Sequence, residues 1–287
     1  MPTSPIHSPD DPRLKLYVNT KDRDVRRETG LFLAEGEHVV RRAFAAVAAG
    51  TLPGAGVRSV LVVESKVDRV EGMIADSGVN AGDVEVLVCS REVMERAVGM
   101  RLHQGIIAAV EPPAAPELDE VLGNARGLKS ARPAGGETIV VCPEITNTEN
   151  LGLLVRVCAA LGVGAMVLGP RCCDPWYRRA VRVSMGAVFA MPMVQSVDLE
   201  ADLDRLQRTH GYELVATVID EDAEALRDSQ PFSPDSGGAI LLGSEGYGLP
   251  VDLVARCDRK VRIPMHAGID SLNVAVAAGI VVHHFCR

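Results

Sequence analysis

Aromatic side chains are scarce in this sequence: one Trp, four Tyr and five Phe in 287 residues. Val, Ala and Leu must therefore fill its core. No run of about 18 apolar residues occurs, so no membrane-spanning helix is predicted. No apolar run follows a basic segment near the N-terminus, which argues against a secretory signal peptide. Cys-x-x-Cys pairs are absent. The seven cysteines (Cys89, Cys142, Cys158, Cys172, Cys173, Cys257 and Cys286) are odd in number and most sit in apolar runs. That is the pattern of reduced, buried thiols in a cytoplasmic protein, not of a disulfide or zinc framework. His266, His283-His284 and Cys172-Cys173 also lack zinc-site spacing, so no metal is expected. Basic residues are in the minority, with a net charge of −8, which argues against nucleic-acid binding over the whole surface but leaves room for a local basic patch. The fingerprint G-x-G-x-x-G is missing as well. Gly162-x-Gly164 precedes an apolar run instead of following one, so a dinucleotide site is poorly supported.

The composition that remains, 47% hydrophobic and 24% charged, is globular, and the length suits about two domains. Residues 1–12 hold four prolines and are predicted to form a flexible arm. Residues 13–111 alternate short apolar strands with helices, the pattern of a small α/β domain. A helix is expected within 15–27, and residues 112–136, rich in Pro, Gly, Lys and Arg, read as a linker with one helical turn at 118–122. The alternation then resumes over 137–287 with nearly continuous apolar strands, which predicts a parallel sheet covered on both faces. The last helix, 272–285, has almost no polar face before His283 and is expected to be buried on most sides.

Four stretches hold candidate chemistry. In Thr146-Asn-Thr-Glu149-Asn150-Leu-Gly152, Thr146 and Glu149 have capping-box spacing, so a helix starts just after a strand. Asn150 falls in its first turn and Arg156 further along. Arg156 is either a surface arginine on an amphipathic helix or a guanidinium held near the strand ends, where ligands bind open α/β sheets. In Leu242-Gly243-Ser244-Glu245-Gly246-Tyr247-Gly248, an apolar strand runs into three glycines, either an ordinary turn or a close backbone approach to a ligand. In Ile263-Pro264-Met265-His266-Ala267-Gly268-Ile269-Asp270-Ser271-Leu272-Asn273, a strand ends at proline, Gly268 permits a turn, and Ser271 is positioned to cap the final helix. Finally, Arg171, Arg178, Arg179 and Arg182 lie beside Trp176 and Tyr177. Arg178 and Arg182 share a helix face, so the cluster is either a solvated helix or an RNA contact.

In this order and spacing the stretches resemble the SpoU (TrmH-like) class of the SPOUT RNA methyltransferases. Asn150-x-Gly152 with Arg156 is similar to that family's first motif. Leu242-Gly243-Ser244-Glu245-Gly246 is similar to the second, with Ser at 244 where many relatives have Asn. Ile263-Pro264-Met265 with Ser271-Leu272-Asn273 is similar to the third. The leading domain, with Glu28-Thr-Gly-Leu-Phe-Leu-Ala-Glu-Gly-Glu, resembles the small L30e-like RNA-binding domain of many relatives. The resemblance implies a deep trefoil knot, a homodimer through the SPOUT domain, S-adenosylmethionine as cofactor and methylation of a ribose 2′-hydroxyl in RNA, ribosomal before transfer RNA. It implies Arg156, Asn150, Glu245, Ser271 and Asn273 as catalytic residues. Cofactor contacts would come from Leu242, Gly243, Gly246, Ile263, Met265, Leu272 and Asn273. The alternatives are a knotted RNA-binding protein without catalysis, a base-modifying SPOUT enzyme, and a nucleotide-dependent α/β enzyme.

Overall fold

Short apolar runs bounded by turns become the strands of two sheets. A computed structural model describes residues 3–18, 22–99, 104–127, 137–233, 237–266 and 271–286. In chain order the elements are β1 (Thr3–Ile6), α1 (Asp22–Thr29), β2 (Phe32–Glu35), α2 (Glu37–Ala48), β3 (Val57–Val63), α3 (Val67–Ser77), β4 (Glu85–Cys89), α4 (Arg91–Val98), β5 (Ile106–Val110), α5 (Leu118–Gly127), β6 (Thr138–Cys142), α6 (Thr148–Ala160), β7 (Ala165–Leu168), α7 (Arg178–Val183), β8 (Met193–Gln195), α8 (Leu199–Asp204), β9 (Glu213–Thr217), β10 (Glu224–Ala225), β11 (Gly238–Leu241), α9 (Val251–Arg256), β12 (Arg259–Arg262) and α10 (Val274–Phe285). They fall into two units, Met1–Ala114 with Pro175–Ala190, and Ala115–Asp174 with Met191–Arg287.

The first unit is built on a sheet of order β1-β4-β3-β5-β2. β1, β4 and β3 pair in parallel; β5 runs antiparallel to β3, and β2 antiparallel to β5. The proline-rich start is therefore not a flexible arm throughout: Thr3–Ile6 pairs with Val86–Cys89 along the edge of the sheet. An edge strand tolerates Pro5, because one side of it needs no donors, and Ile6 is buried. Asp11 then caps a 3₁₀ turn at Pro12–Leu14. Leu14 and Tyr17 are fully buried, and the Tyr17 hydroxyl meets Ser59 Oγ at 2.7 Å. Of the helix expected within 15–27, residues 15–18 form turns instead, 19–21 lie outside the described residues, and α1 covers the rest from Asp22.

Residues 175–190 were expected to belong with the C-terminal domain, yet they pack in the first unit, with α7 beside β2. The scarce aromatics explain this. Trp176 lies 5.0 Å from Phe32, centroid to centroid, and Phe189 lies 6.1 Å from Phe32. Pairs of this geometry contribute about 0.5–1.5 kcal/mol beyond their buried area.

The second unit holds seven strands in the order β10-β12-β9-β11-β6-β7-β8, every pairing parallel. Ile139, Val141, Val167, Leu214, Ala239 and Leu241 line one core under α5 and α8. Much of the expected linker is thus α5, whose Leu118, Val121 and Leu122 are buried in that core; residues 128–136 lie outside the described residues.

α10 packs against α6. Its inner face, with Val274, Ala278, Val281, Val282 and Phe285, is buried, but Val276 and Ile280 are 53% and 41% exposed in the single chain. The expectation of burial on most sides holds: only the stripe of Val276, Ile280 and His283 is exposed. The C-terminal end is pinned: Phe285 stacks on Phe232 with centroids 4.5 Å apart, the Arg259 guanidinium lies over the Phe285 ring at 5.4 Å, and His284 Nε2–H donates to the Ser229 carbonyl at 2.8 Å. Phe285→Ala opens a cavity at the end of the helix and is expected to destabilise the protein by about 3–5 kcal/mol, measured by denaturant unfolding.

Candidate active site

The order of the second sheet decides where loops can converge. From β6 the chain steps outward through β7 and β8, then returns to the other side for β9, inserts β11 between β9 and β6, and places β12 beyond β9. All these strands are parallel, so the segments after β6, β11 and β12 leave from one edge. The reversal of direction at β6/β11 opens a crevice there, the usual ligand position in open α/β sheets. Thr217, at the end of β9, donates its hydroxyl to the Leu241 carbonyl at 2.8 Å.

The three motif loops meet in a chain of hydrogen bonds. Asn147, not Thr146, caps α6: its Oδ1 accepts from the N–H groups of Glu149 at 2.8 Å and Asn150 at 3.3 Å. Asn150 Nδ2 donates to Glu245 Oε1. Asn150 Oδ1 accepts from Asn273 Nδ2 at 3.0 Å. Asn273, not Ser271, caps α10, its Oδ1 accepting from Ala275 N–H at 3.0 Å. An ionised carboxylate only accepts, so Glu245 forces the Asn150 amide nitrogen toward itself. The Asn150 oxygen then faces Asn273, whose nitrogen must donate, which leaves the Asn273 oxygen for the helix start. One charge orients two amides and a cap.

Glu245 sits on a closed turn. Ser244 and Gly248 exchange backbone hydrogen bonds at 3.1 and 3.0 Å, and Tyr247 N–H donates to Ser244 Oγ at 3.3 Å. A Cβ at Gly243 would run into the Gly248 backbone and come within 2.6 Å of Leu249 N, so only glycine fits. Leu242 is buried, Gly243, Ile263 and Met265 are half-buried, and Gly246, Ser271 and Leu272 are exposed. Gly268 and the rest of 267–270 lie outside the described residues. Arg156 is exposed on α6 and has no hydrogen-bond or ion-pair partner among the described residues.

The arginine cluster divides. Arg178 Nε donates to Glu35 at 2.9 Å, and Arg182 Nη1 reaches the same carboxylate at 3.3 Å; Arg178 and Glu35 are 15% and 12% exposed. The shared helix face read from their spacing is thus turned onto β2. Arg179 is exposed. In the second unit Arg171 donates to Glu144 at 2.7 Å.

Burial raises the thiols: Cys172 to about 11, and Cys173 and Cys257 to about 12, while the fully buried Cys142 is pushed up as well. They remain protonated, weakly nucleophilic thiols at neutral pH. No group of three or more His, Cys, Asp or Glu among the described residues could hold a metal, and no described helix is long and apolar enough to cross a membrane. A separate cleft of about 640 Å³ lies along the outer face of α10, lined by Ile263, Pro264, Val276, Ile280 and His283 among others; it does not include the Glu245 chain.

Sequence reasoning named Asn150, Glu245 and Asn273 but missed both true caps and the hydroxyl of Thr217. Asn147 was legible, because Asn caps at least as well as Thr. The Asn273 cap was hidden by Ser271, an equally plausible cap two residues earlier.

An α/β unit with a parallel seven-stranded sheet and polar side chains gathered at its switch point is the class of architecture on which open-sheet enzymes bind their ligands. Residues 137–283 match the SpoU rRNA Methylase family. An uncharacterized tRNA/rRNA methyltransferase of Mycobacterium bovis is 34% identical over 286 residues, covering 98% of this chain and 91% of that protein. The 23S rRNA (guanosine(2553)-2'-O)-methyltransferase RlmP of Bacillus subtilis is 26% identical, over 97% of this chain and 98% of its own length. The crystal structure of an AdoMet-bound rRNA methyltransferase from Sinorhizobium meliloti has a TM-score of 0.74 and 27% identity, covering 98% of this chain and 97% of that one. The chain belongs to the SpoU family of RNA methylases.

Asn273→Asp keeps a good helix cap but cannot donate to Asn150. It is expected to leave the melting temperature nearly unchanged while methyl transfer falls at least tenfold. Asn273→Ala loses the cap too, and about 1 kcal/mol of stability with it. Thermal unfolding and a single-turnover assay on the same samples check both.

Proposed function

We propose that this protein transfers a methyl group from S-adenosylmethionine to a ribose 2′-hydroxyl of RNA, ribosomal RNA in preference to transfer RNA. The observation that carries this reading is the convergence of Asn150, Glu245 and Asn273 at the carboxyl edge of one parallel sheet. The 2′-O-methyltransferase of B. subtilis and the AdoMet-bound structure from S. meliloti support the reaction and the cofactor. The span suits that cofactor: the ends of β11 and β12 are separated by β9 alone, about 10 Å at ordinary strand spacing, a distance of nucleoside size. Backbone around Leu242, Gly243 and Gly246 on one side, and around Ile263, Met265 and Leu272 on the other, would hold it. When bound, S-adenosylmethionine supplies an activated methyl group on a sulfonium centre.

The chain's own residues then have to position the ribose and accept a proton. Glu245 has one oxygen held by Asn150 and the other for the ribose hydroxyl, whose proton it takes directly or through one water. Arg156 cannot serve as base, because a guanidinium stays protonated in proteins; it clamps a phosphate flanking the target ribose. Ser271 adds a hydrogen bond to the sugar. Such alignment supplies on the order of 7 kcal/mol or more of barrier reduction when reacting atoms are well placed.

Further parts of this reading are a trefoil knot, a homodimer, an RNA-binding L30e-like first unit, RNA contacts from Arg171, Arg178, Arg179 and Arg182, and a cytoplasmic location. The packing of α10, the last helix, against α6 supports the knot. The exposed Val276 and Ile280, one turn apart on a nearly all-apolar helix, support a dimer face.

The deciding experiment is labelled methyl transfer into ribosomal and transfer RNA from cells lacking the protein, followed by mapping. Ribose methylation is expected; label on a base, or cofactor binding without transfer, overturns the reading. Arg156→Ala is expected to lower transfer by at least a hundredfold with cofactor affinity within twofold by calorimetry. Val276→Glu with Ile280→Glu is expected to give a monomer by light scattering.

A further inference from the structure

Tyr247 is the feature the reaction chemistry leaves unused. Its side chain is 95% exposed, and it is the one large aromatic exposed to that degree among the described residues. It is one of only ten aromatics in the chain. The ring is also not on a loose loop. It stands at the tip of the turn closed by the two Ser244–Gly248 backbone bonds, and its own N–H is held by Ser244 Oγ. The backbone on either side of it is bare: a Cβ at Gly246 or Gly248 would meet nothing within 4 Å. A flat group can therefore approach the ring without meeting a neighbouring side chain. Two residues away, Glu245 is tied through Asn150 to Asn273.

We propose that Tyr247 is a base-positioning residue, a stacking platform for an unpaired nucleobase of the RNA at or next to the methylated nucleotide. A ribose hydroxyl is reached most readily when its nucleotide is splayed from its neighbours, and single-stranded RNA is held by bases stacked on aromatic faces. The turn couples the two tasks. Glu245 faces the sugar while Tyr247, on the same turn closed by hydrogen bonds, holds the base, so stacking sets the distance between hydroxyl and carboxylate. Such stacking is sequence-tolerant, since every base has a π face; Tyr247 fixes geometry and leaves base identity to other contacts. The inference rests on the RNA methyltransferase reading above.

The test uses the full chain with 16S and 23S ribosomal RNA extracted from cells lacking the protein. Tyr247→Ala and Tyr247→Leu are expected to raise KM for RNA tenfold or more, while cofactor affinity by calorimetry stays within twofold. Tyr247→Phe and Tyr247→Trp are expected to retain near-normal KM. The Trp variant adds a direct readout: its new indole emission, measured against the buried Trp176 of the parent, is expected to be quenched on RNA addition. Three results overturn the proposal: an unchanged KM in Tyr247→Ala, rescue by Leu as good as by Phe, or a Tyr247→Ala protein whose oligomeric state by light scattering differs from the parent. If the parent protein methylates no ribose, the functional reading fails; if it does and Tyr247→Ala is unaffected, only this inference fails.

Discussion

The negative charge on Glu245 is the constraint from which the site follows. A carboxylate has no proton to give, so the amide beside it has one admissible orientation, and so does the amide beyond. The order runs from Glu245 through Asn150 and Asn273 to the first N–H groups of α10. Three segments more than a hundred residues apart in sequence at their extremes are thereby held in register by hydrogen bonds that all point one way. The helix start at its far end adds a partial positive charge, which favours the same direction.

That chain needs a rigid frame, and the parallel sheet supplies it. Every strand leaves from the same edge, so the loops after β6, β11 and β12 open on one side of the sheet; β11 adjoins β6, and the packing of α10 on α6 brings Asn273 to them. β11 occupies the slot between β6 and β9, which brings Glu245 within reach of the first turn of α6. The glycine at 243 lets the turn carrying Glu245 fold back against its own strand exit. The buried Cys142 thiol on β6 fills space as a small apolar group, while the half-buried Cys172 after β7 donates its S–H to the Cys142 carbonyl and accepts from Ile145 N–H.

The first unit shows the reverse economy of side chains. Few aromatics exist, and three of them gather where Trp176 and Phe189 meet Phe32. Arg178 and Arg182 complete the same contact through Glu35. Residues read as a candidate RNA contact from sequence thus also fasten a long-range segment to an edge strand. Arginine suits both tasks, because a planar guanidinium matches a carboxylate as well as a phosphate.

Periodicity alone was enough to reveal two α/β regions, the parallel character of the second sheet, and most helices, since burial on one or both faces leaves a local trace in the order of apolar residues. Motif spacing marked Asn150, Glu245 and Asn273 as polar residues at element ends. Several features lay beyond reach of the sequence. Thr3–Ile6 forms a strand because β4 offers an open edge, which no local pattern reports. Trp176 and its arginines join the first unit through partners some 140 residues away. Ser271 and Asn273 are equivalent caps by propensity, and only contact with Asn150 decides between them. What the chain carries in its local order is which face of each element avoids water; which faces meet, and which amide turns toward which charge, is settled by contacts that exist only after folding.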